Sequence, residues 1–298
     1  MTEFFQQLIN GLSLGAIYAL IALGYTMVYG VLRFINFAHG DVFMLGAFSG
    51  FYLARVFPQN SFIGALGVFV VSMLICAVIG ILIERFAYRP LRDRPKLTVL
   101  ITAIGVSLFI ENTAQHEKVF GAAPRASPNI VPDTQFLLGD VSINSDQVLV
   151  LVVACVLMIG LQFIVLKTKI GTAMRAVSFN AQAAALMGIN NNIVISFTFG
   201  LGSALAAAGG ILYAMNYTSI DPLMGILPGL KAFVAAVLGG IGNIPGAALG
   251  GLIMGVVETF TAGYISSAYR DAVAFGILIL ILIFKPSGLL GKVQVEKV

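Results

Sequence analysis

The sequence predicts an all-α, polytopic integral membrane protein with about eight or nine transmembrane helices, one of them broken or re-entrant. Three observations carry that prediction. Of 298 residues, 59% are hydrophobic and 10% charged, against about 25% charged in a soluble domain. The apolar residues come in runs near the roughly 20 that a helix needs to cross a bilayer. The charges collect in the segments between those runs. A single soluble core of this length cannot bury so much apolar surface, so lipid must solvate much of it. The chain is read as one domain, residues 1–298.

The spans follow in order, with soft ends. Runs at about 8–30, 37–57, 62–84, 97–115, 147–166, 192–215 and 268–285 each have the length of a crossing. The stretch from Gly225 to Tyr264 is long enough for two. Its first half is short and carries Lys231, so a re-entrant segment is an alternative there. Glu3 is the only charge in the first 30 residues and Arg33 lies just beyond. Without a basic region ahead of it, the first run is expected to be a retained span. Trp is absent, so Tyr and Phe must supply any aromatic belt.

Basic residues in short loops set the orientation. Arg85, Arg89, Arg92, Arg94 and Lys96 follow the third run; Lys167, Lys169 and Arg175 follow the fifth; Lys285, Lys292 and Lys297 close the chain. Placing all three groups in the cytoplasm is consistent. The loop at about 115–146 holds Lys118 and Arg125 against Glu117, Asp133, Asp140 and Asp146. It is rich in Pro, Asn and Asp, and is expected to be an exposed external loop. The N-terminus is then periplasmic and the C-terminus cytoplasmic, which favours nine crossings over eight.

Glycine spacing predicts close helix packing. Gly11/Gly15 and Gly46/Gly50 are four apart, and GGIGNIPGAALGGLIMG sets Gly242, Gly246 and Gly250 in series, with Gly251/Gly255 beside them. Four-residue spacing puts small residues on one helix face, where backbones can approach. Pro245 within that run points to a broken helix near a transport path.

Ionisable groups at membrane depth are costly and mark function. Four places qualify. They are the junction from Arg33 through Asn36, His39 and Asp41; Glu258; Lys231; and Glu111 with Asn112. Arg33 and Glu111 read as interfacial. For Asn36, His39, Asp41 and Glu258, a place on the translocation pathway and a structural role weigh equally, including a turn-fixing pair of His39 with Asp41. Cys76 and Cys155 fall inside apolar runs and read as packing residues. No metal spacing or catalytic set emerges, so an enzyme is the least expected class. The basic residues sit between spans, so nucleic acid is not an expected partner. There is no G-x-x-x-x-G-K-[ST] phosphate loop, so any driving ATPase must be another polypeptide.

The loop at about 167–191, KTKIGTAMRAVSFNAQAAALMGINNN, reads as a short Ala-rich helix between two spans. From its residues alone, two readings stay open. It is an interfacial amphipathic helix, or a segment on which a cytoplasmic partner pushes. Gly188 is placed to end the helix.

Three stretches resemble a known family. NGLSLGAIYALIALGYTMVYGVLRFINFAHGDVFMLGAF (Asn10 to Phe48), RAVSFNAQAAALMGINNN and AVLGGIGNIPGAALGGLIMGVVE are similar to the permeases of branched-chain amino-acid ABC importers, the H-type subunit in particular. The resemblance covers most of the chain and is weakest at about 115–146. It implies a second related permease, two cytoplasmic ATPases that bind ATP and Mg, and a periplasmic protein delivering leucine, isoleucine or valine. No cofactor is implied for this chain itself. It places the protein in the bacterial inner membrane. It implies ATPase coupling through the segment that holds Arg175, Ala176, Asn180, Gln182, Ala183, Ala184, Gly188 and Ile189. Members of the family often carry an acidic residue where Gln182 stands, so a salt bridge from that position is in doubt. The alternatives are a sister importer for urea, short amides or another amino acid, and a stand-alone channel or secondary transporter relaying protons through Asp41, His39 and Glu258.

Overall fold

The computed structural model describes residues 2–291 apart from 59, 60, 93, 128, 129, 133, 140 and 218. Asp133, Asp140, Lys292 and Lys297, used above to orient the chain, lie outside the described residues. Among the described residues, seven helices are long and apolar enough to cross a membrane. They are α1 (Thr2–Leu32), α3 (Phe62–Ile83), α4 (Lys96–Gln115), α5 (Ser145–Lys167), α8 (Asn191–Tyr217), α10 (Ile244–Tyr264) and α11 (Arg270–Phe284), the last prolonged at its start by a 3-10 turn. Two shorter helices complete the bundle, α2 (His39–Leu53) and α9 (Ile226–Gly239). Between α5 and α8 lie two further short helices, α6 (Lys169–Phe179) and α7 (Ala181–Leu186). Each apolar run read from the sequence is a helix, but the run at about 37–57 is only the 15-residue α2, shorter than a crossing needs.

Glycine decides which helices touch. A Cβ on Gly11 or Gly15 would lie 2.8 Å from the Cα of Val256 or Leu252, and one on Gly255 would overlap the backbone of Gly15. The α1 and α10 backbones are thus in direct contact along two turns, as small residues at four-residue spacing allow. Gly46 rests on the Ala207 backbone, which joins α2 to α8.

The serial glycine run departs from expectation. Gly242 is not on a helix face: it precedes α10 and takes φ +91° in the turn from α9. Pro245 breaks no helix. It sits in the first turn of α10, where a missing N–H removes no intrahelical bond. The Asn243 side chain caps that turn by accepting from the Gly246 N–H at 3.0 Å. Gly246 and Gly250 pack on Gly239 and Ala235 of α9, while Gly251 and Gly255 face α1. One run therefore serves two neighbours. Cys76 is a buried packing residue as expected, but Cys155 is exposed on the outer side of α5.

The loop at 115–146 contains structure that its composition did not indicate. β2 (Gln135–Leu138) and β3 (Val141–Asn144) form an antiparallel hairpin, and β1 (Arg125–Ala126) pairs with β4 (Ser219–Ile220). Gln6 of α1 clamps the hairpin by bonding both the N–H and the carbonyl of Ser142 at 3.0 Å. Asn144 and Gln147 then form a capping box that starts α5. The opposite end of the bundle carries α6, α7 and the basic residues that follow α3 and α5.

Candidate functional site

The two short helices define the site, because both begin partway along α1. The His39 ring lies against Gly24 and 4.6 Å from the Tyr25 ring. Gly229, in the first turn of α9, lies beside the Tyr25 hydroxyl. Side chains on Gly40, Gly225 or Gly229 would collide with the facing backbone, so the start of α2 meets the start of α9 at glycine. Segments 33–38 and 221–225, just ahead of α2 and α9, are non-helical. At 15 and 14 residues, these helices both fall short of a full crossing, where the sequence led us to expect one such interrupted segment. Non-helical backbone at membrane depth is tolerated where protein buries it or where it lines a cavity.

A cavity of ≈ 240 Å³ opens at this meeting point, between α2, α4 and α9. Its polar lining is Tyr25, Asp41, Ser107 and Glu111. Ser107 Oγ donates to Asp41 Oδ2 at 2.5 Å and lies 3.5 Å from Glu111 Oε1. Asp41 is 3% exposed and sits in the first turn of α2, where the helix dipole favours negative charge. Asp41 and His39 do not pair: Asp41 turns to Ser107, and His39 Nε2 is buried without a hydrogen-bond partner among the described residues.

Asn36 belongs to a different network. Its Oδ1 accepts from the hydroxyl of the buried Tyr88 at 2.5 Å. Tyr88 ends a π-helical turn, Glu84–Tyr88, that continues α3; such turns often fall at functional sites. The carboxylate of Glu84, at the start of that turn, is fully buried and accepts from Arg92 and from Ser196 Oγ, the latter at 2.5 Å. Arg92 also donates to Asn192 Oδ1 at 2.8 Å. A chain of polar contacts thus links the first turn of α8 to the end of α3, whose Tyr88 in turn holds the segment ahead of α2.

Glu258 lies away from the cavity. Its two oxygens accept from the Tyr18 hydroxyl and from Lys231 Nζ, each at 2.8 Å, and Lys231 also meets Asp271 at 2.7 Å. This cluster, buried at Tyr18, Lys231 and Glu258 and open to the surface at Asp271, joins α1, α9, α10 and α11, and each buried charge in it has a partner.

At the far end, α6 packs on the bundle through Gly171, Met174 and Val177. Arg175 is exposed and reaches back to the end of α5. It donates to the carbonyls of Val165 and Leu166 at 2.9 and 3.1 Å, closing the C-terminus of α5. Ser178 Oγ donates to the Gly30 carbonyl. The single helix expected here is two, divided at Asn180, whose side chain caps α7 through the Ala183 N–H at 2.9 Å. Gly188, at φ +83°, ends α7: its N–H bonds Ala185 O and the Ile189 N–H bonds Ala184 O, each at 3.0 Å. That pair is the Schellman arrangement. Ala184 is buried and Ala176 and Ile189 are half-buried, while Gln182 and Ala183 face outward. Phe179 and Leu186 are 89% exposed and Met187 83%, so no described residue covers them.

Sequence reasoning missed Tyr18, Tyr25, Glu84, Tyr88, Ser107 and Asp271. Glu84 alone carried a signal, as an acidic residue ending an apolar run.

Similarity to known proteins identifies the family. A family model described as branched-chain amino acid transport system / permease component matches residues 7–282. The chain is 44% identical over 305 residues to the high-affinity branched-chain amino acid transport system permease protein BraD of Pseudomonas aeruginosa, covering 99% of this chain and 98% of that protein. It is 42% identical over 304 residues to the permease protein LivH of Escherichia coli K12, with the same coverage. A probable branched-chain amino acid transport permease protein LivH of Methanocaldococcus jannaschii is 31% identical, covering 91% of this chain and 88% of that one.

Proposed function

The chain belongs to the branched-chain amino acid permease family, and from that premise we propose that it forms one side of an ATP-driven import pathway for leucine, isoleucine and valine. It sits in the bacterial cytoplasmic membrane with the β2–β3 hairpin in the periplasm and α6 and α7 in the cytoplasm. A second, related permease completes the pathway. A periplasmic binding protein delivers substrate at the hairpin end. Two ATPase subunits, which bind ATP and Mg, dock on α7.

The observation that carries this reading is the contrast within the α6–α7 unit. Its inner face is pinned by Arg175, Ser178 and the Asn191–Ala181 bond, while Phe179, Leu186 and Met187 stand uncovered. A short apolar helix face of this kind fits a groove on a partner. Because the unit is pinned, a push on α7 moves the start of α8. Through Asn192, Arg92 and Glu84 the push reaches Tyr88 and Asn36, next to the start of α2. ATP-driven closure can then bias the pathway between two states.

The test is Leu186→Glu combined with Met187→Glu. Both side chains are exposed, so the folded permease should persist within about 0.5 kcal/mol. Leucine uptake and co-purification of the ATPases should both be lost. Normal uptake by this variant would remove α7 as the docking element.

A further inference from the structure

We propose that the cavity where α2 and α9 begin is a transient binding site for the zwitterion of the transported amino acid. The inference rests on the import reading above and assigns the substrate's contacts within it. The cavity offers three chemistries in one place. Asp41 and Glu111, bridged by Ser107, accept an ammonium group. The N-terminal turns of α2 and α9, which contribute Gly40 and Gly225 to the wall, bring two positive dipole ends toward a carboxylate. Broken helices use their N-termini on substrate carboxylates in this way. Phe37, Ile104, Leu108 and Leu230 supply apolar wall for an aliphatic side chain.

The Tyr25 hydroxyl is the independent observation. Tyr25 is 5% exposed and forms part of the cavity wall, its hydroxyl standing 3.6 Å from where a Gly229 Cβ would be. None of the hydrogen bonds among the described residues uses that hydroxyl. The ring is buried while its hydroxyl opens on the cavity, where a substrate carboxylate can accept a charge-assisted bond from it. The three glycines serve the same end: any side chain at Gly40, Gly225 or Gly229 would force the two helix starts apart.

The importer is assembled with its partner permease and ATPases in nanodiscs, without binding protein, and irradiated with a diazirine analogue of leucine. Label should fall on peptides containing Phe37, Ile104, Leu108 or Leu230. Excess leucine should compete it away; 4-methylpentanoate, which lacks the ammonium group, should not. Tyr25→Phe keeps the ring packing and removes one bond to a charged group, so labelling should fall roughly ten-fold. Ser107→Ala frees the two carboxylates and should weaken the preference for leucine over 4-methylpentanoate. Leu108→Trp fills the cavity from α4 and should abolish labelling. Label on other segments, or undiminished labelling in Tyr25→Phe and Leu108→Trp, overturns the site. Leucine uptake into proteoliposomes, measured in parallel with binding protein, separates the two readings. Uptake with label elsewhere sinks only the site, whereas no uptake of any branched-chain amino acid by the wild-type assembly sinks the import reading itself.

Discussion

Two helices of equal hydropathy meet opposite fates here. The most apolar 18-residue stretch of α1 has a mean hydropathy of 1.7 and that of α4 1.6, yet 94% of the first and 17% of the second is buried within the chain. Apolarity takes both into the membrane and does not sort them. What sorts them is side-chain size. α1 presents Gly11, Gly15 and Gly24 to α10, His39 and α8, each at backbone distance. α4 has Gly105, and α5 has Gly160, with nothing within 4 Å of where a Cβ would be. In lipid there is no hydrophobic drive between helices, so close packing and polar contacts decide which ones associate. The outer faces of α4, α5 and α11 are left for lipid or for another subunit.

Three substitutions probe that contrast, in falling order of effect. Gly255→Leu puts a bulky side chain where even a Cβ overlaps the Gly15 backbone. Overpacking costs about 1–3 kcal/mol when side chains can yield, and here backbone must move. Loss of monodisperse protein after extraction is expected, and a normal thermal profile would break the contrast.

Second is Lys231→Met, which leaves Glu258 buried with Tyr18 as its remaining donor. Breaking a buried pair from one side costs about 3–5 kcal/mol. Adding Glu258→Leu should recover much of that loss, because two apolar groups replace two buried charges. Thermal unfolding of the single and double variants in detergent measures the difference. No recovery would mean that the cluster also holds α11 in place through Asp271.

The smallest effect belongs to Gly160→Ala. On the open face of α5 a methyl meets nothing, and helix propensity favours Ala over Gly by up to about 1 kcal/mol. Stability should be unchanged or slightly raised, and uptake unaffected. A marked loss of uptake at normal stability would show that this face is covered by a partner subunit.

Much of the fold was legible in the residues. Runs of apolar residues marked the spans within a few positions, since the length of a crossing is set by the bilayer. Basic loops grouped correctly at one end among the described residues. Gly188 announced the end of α7, because φ +83° is strained for any side chain. The coupling segment was legible as a place but not as a shape, because the division at Asn180 depends on how α6 is pinned. Arg175, placed in the coupling segment, is exposed and also donates to the carbonyls that end α5. An arginine's position in sequence does not reveal which carbonyls its side chain will reach.

The candidate pathway residues divide in the same way. Asp41 reached the cavity, Asn36 and Glu258 joined separate networks, and His39 packs on Tyr25. Their depth could be read from the neighbours in sequence, but not their partners, which for Asn36 and Glu258 include Tyr88 and Tyr18 on distant helices.

The sequence by itself determined that this chain lives in lipid, roughly where its apolar helices lie, which loops are basic, and which family it resembles. All of these follow from local composition averaged over a span or a motif. Only the tertiary structure decided that α2 and α9 start inside the bundle, that Gly242 lies in a turn rather than on a helix face, and that Asp41, Ser107, Glu111 and Tyr25 share a cavity. Those outcomes depend on which glycines let two backbones touch, and that is a property of pairs of helices rather than of any one of them.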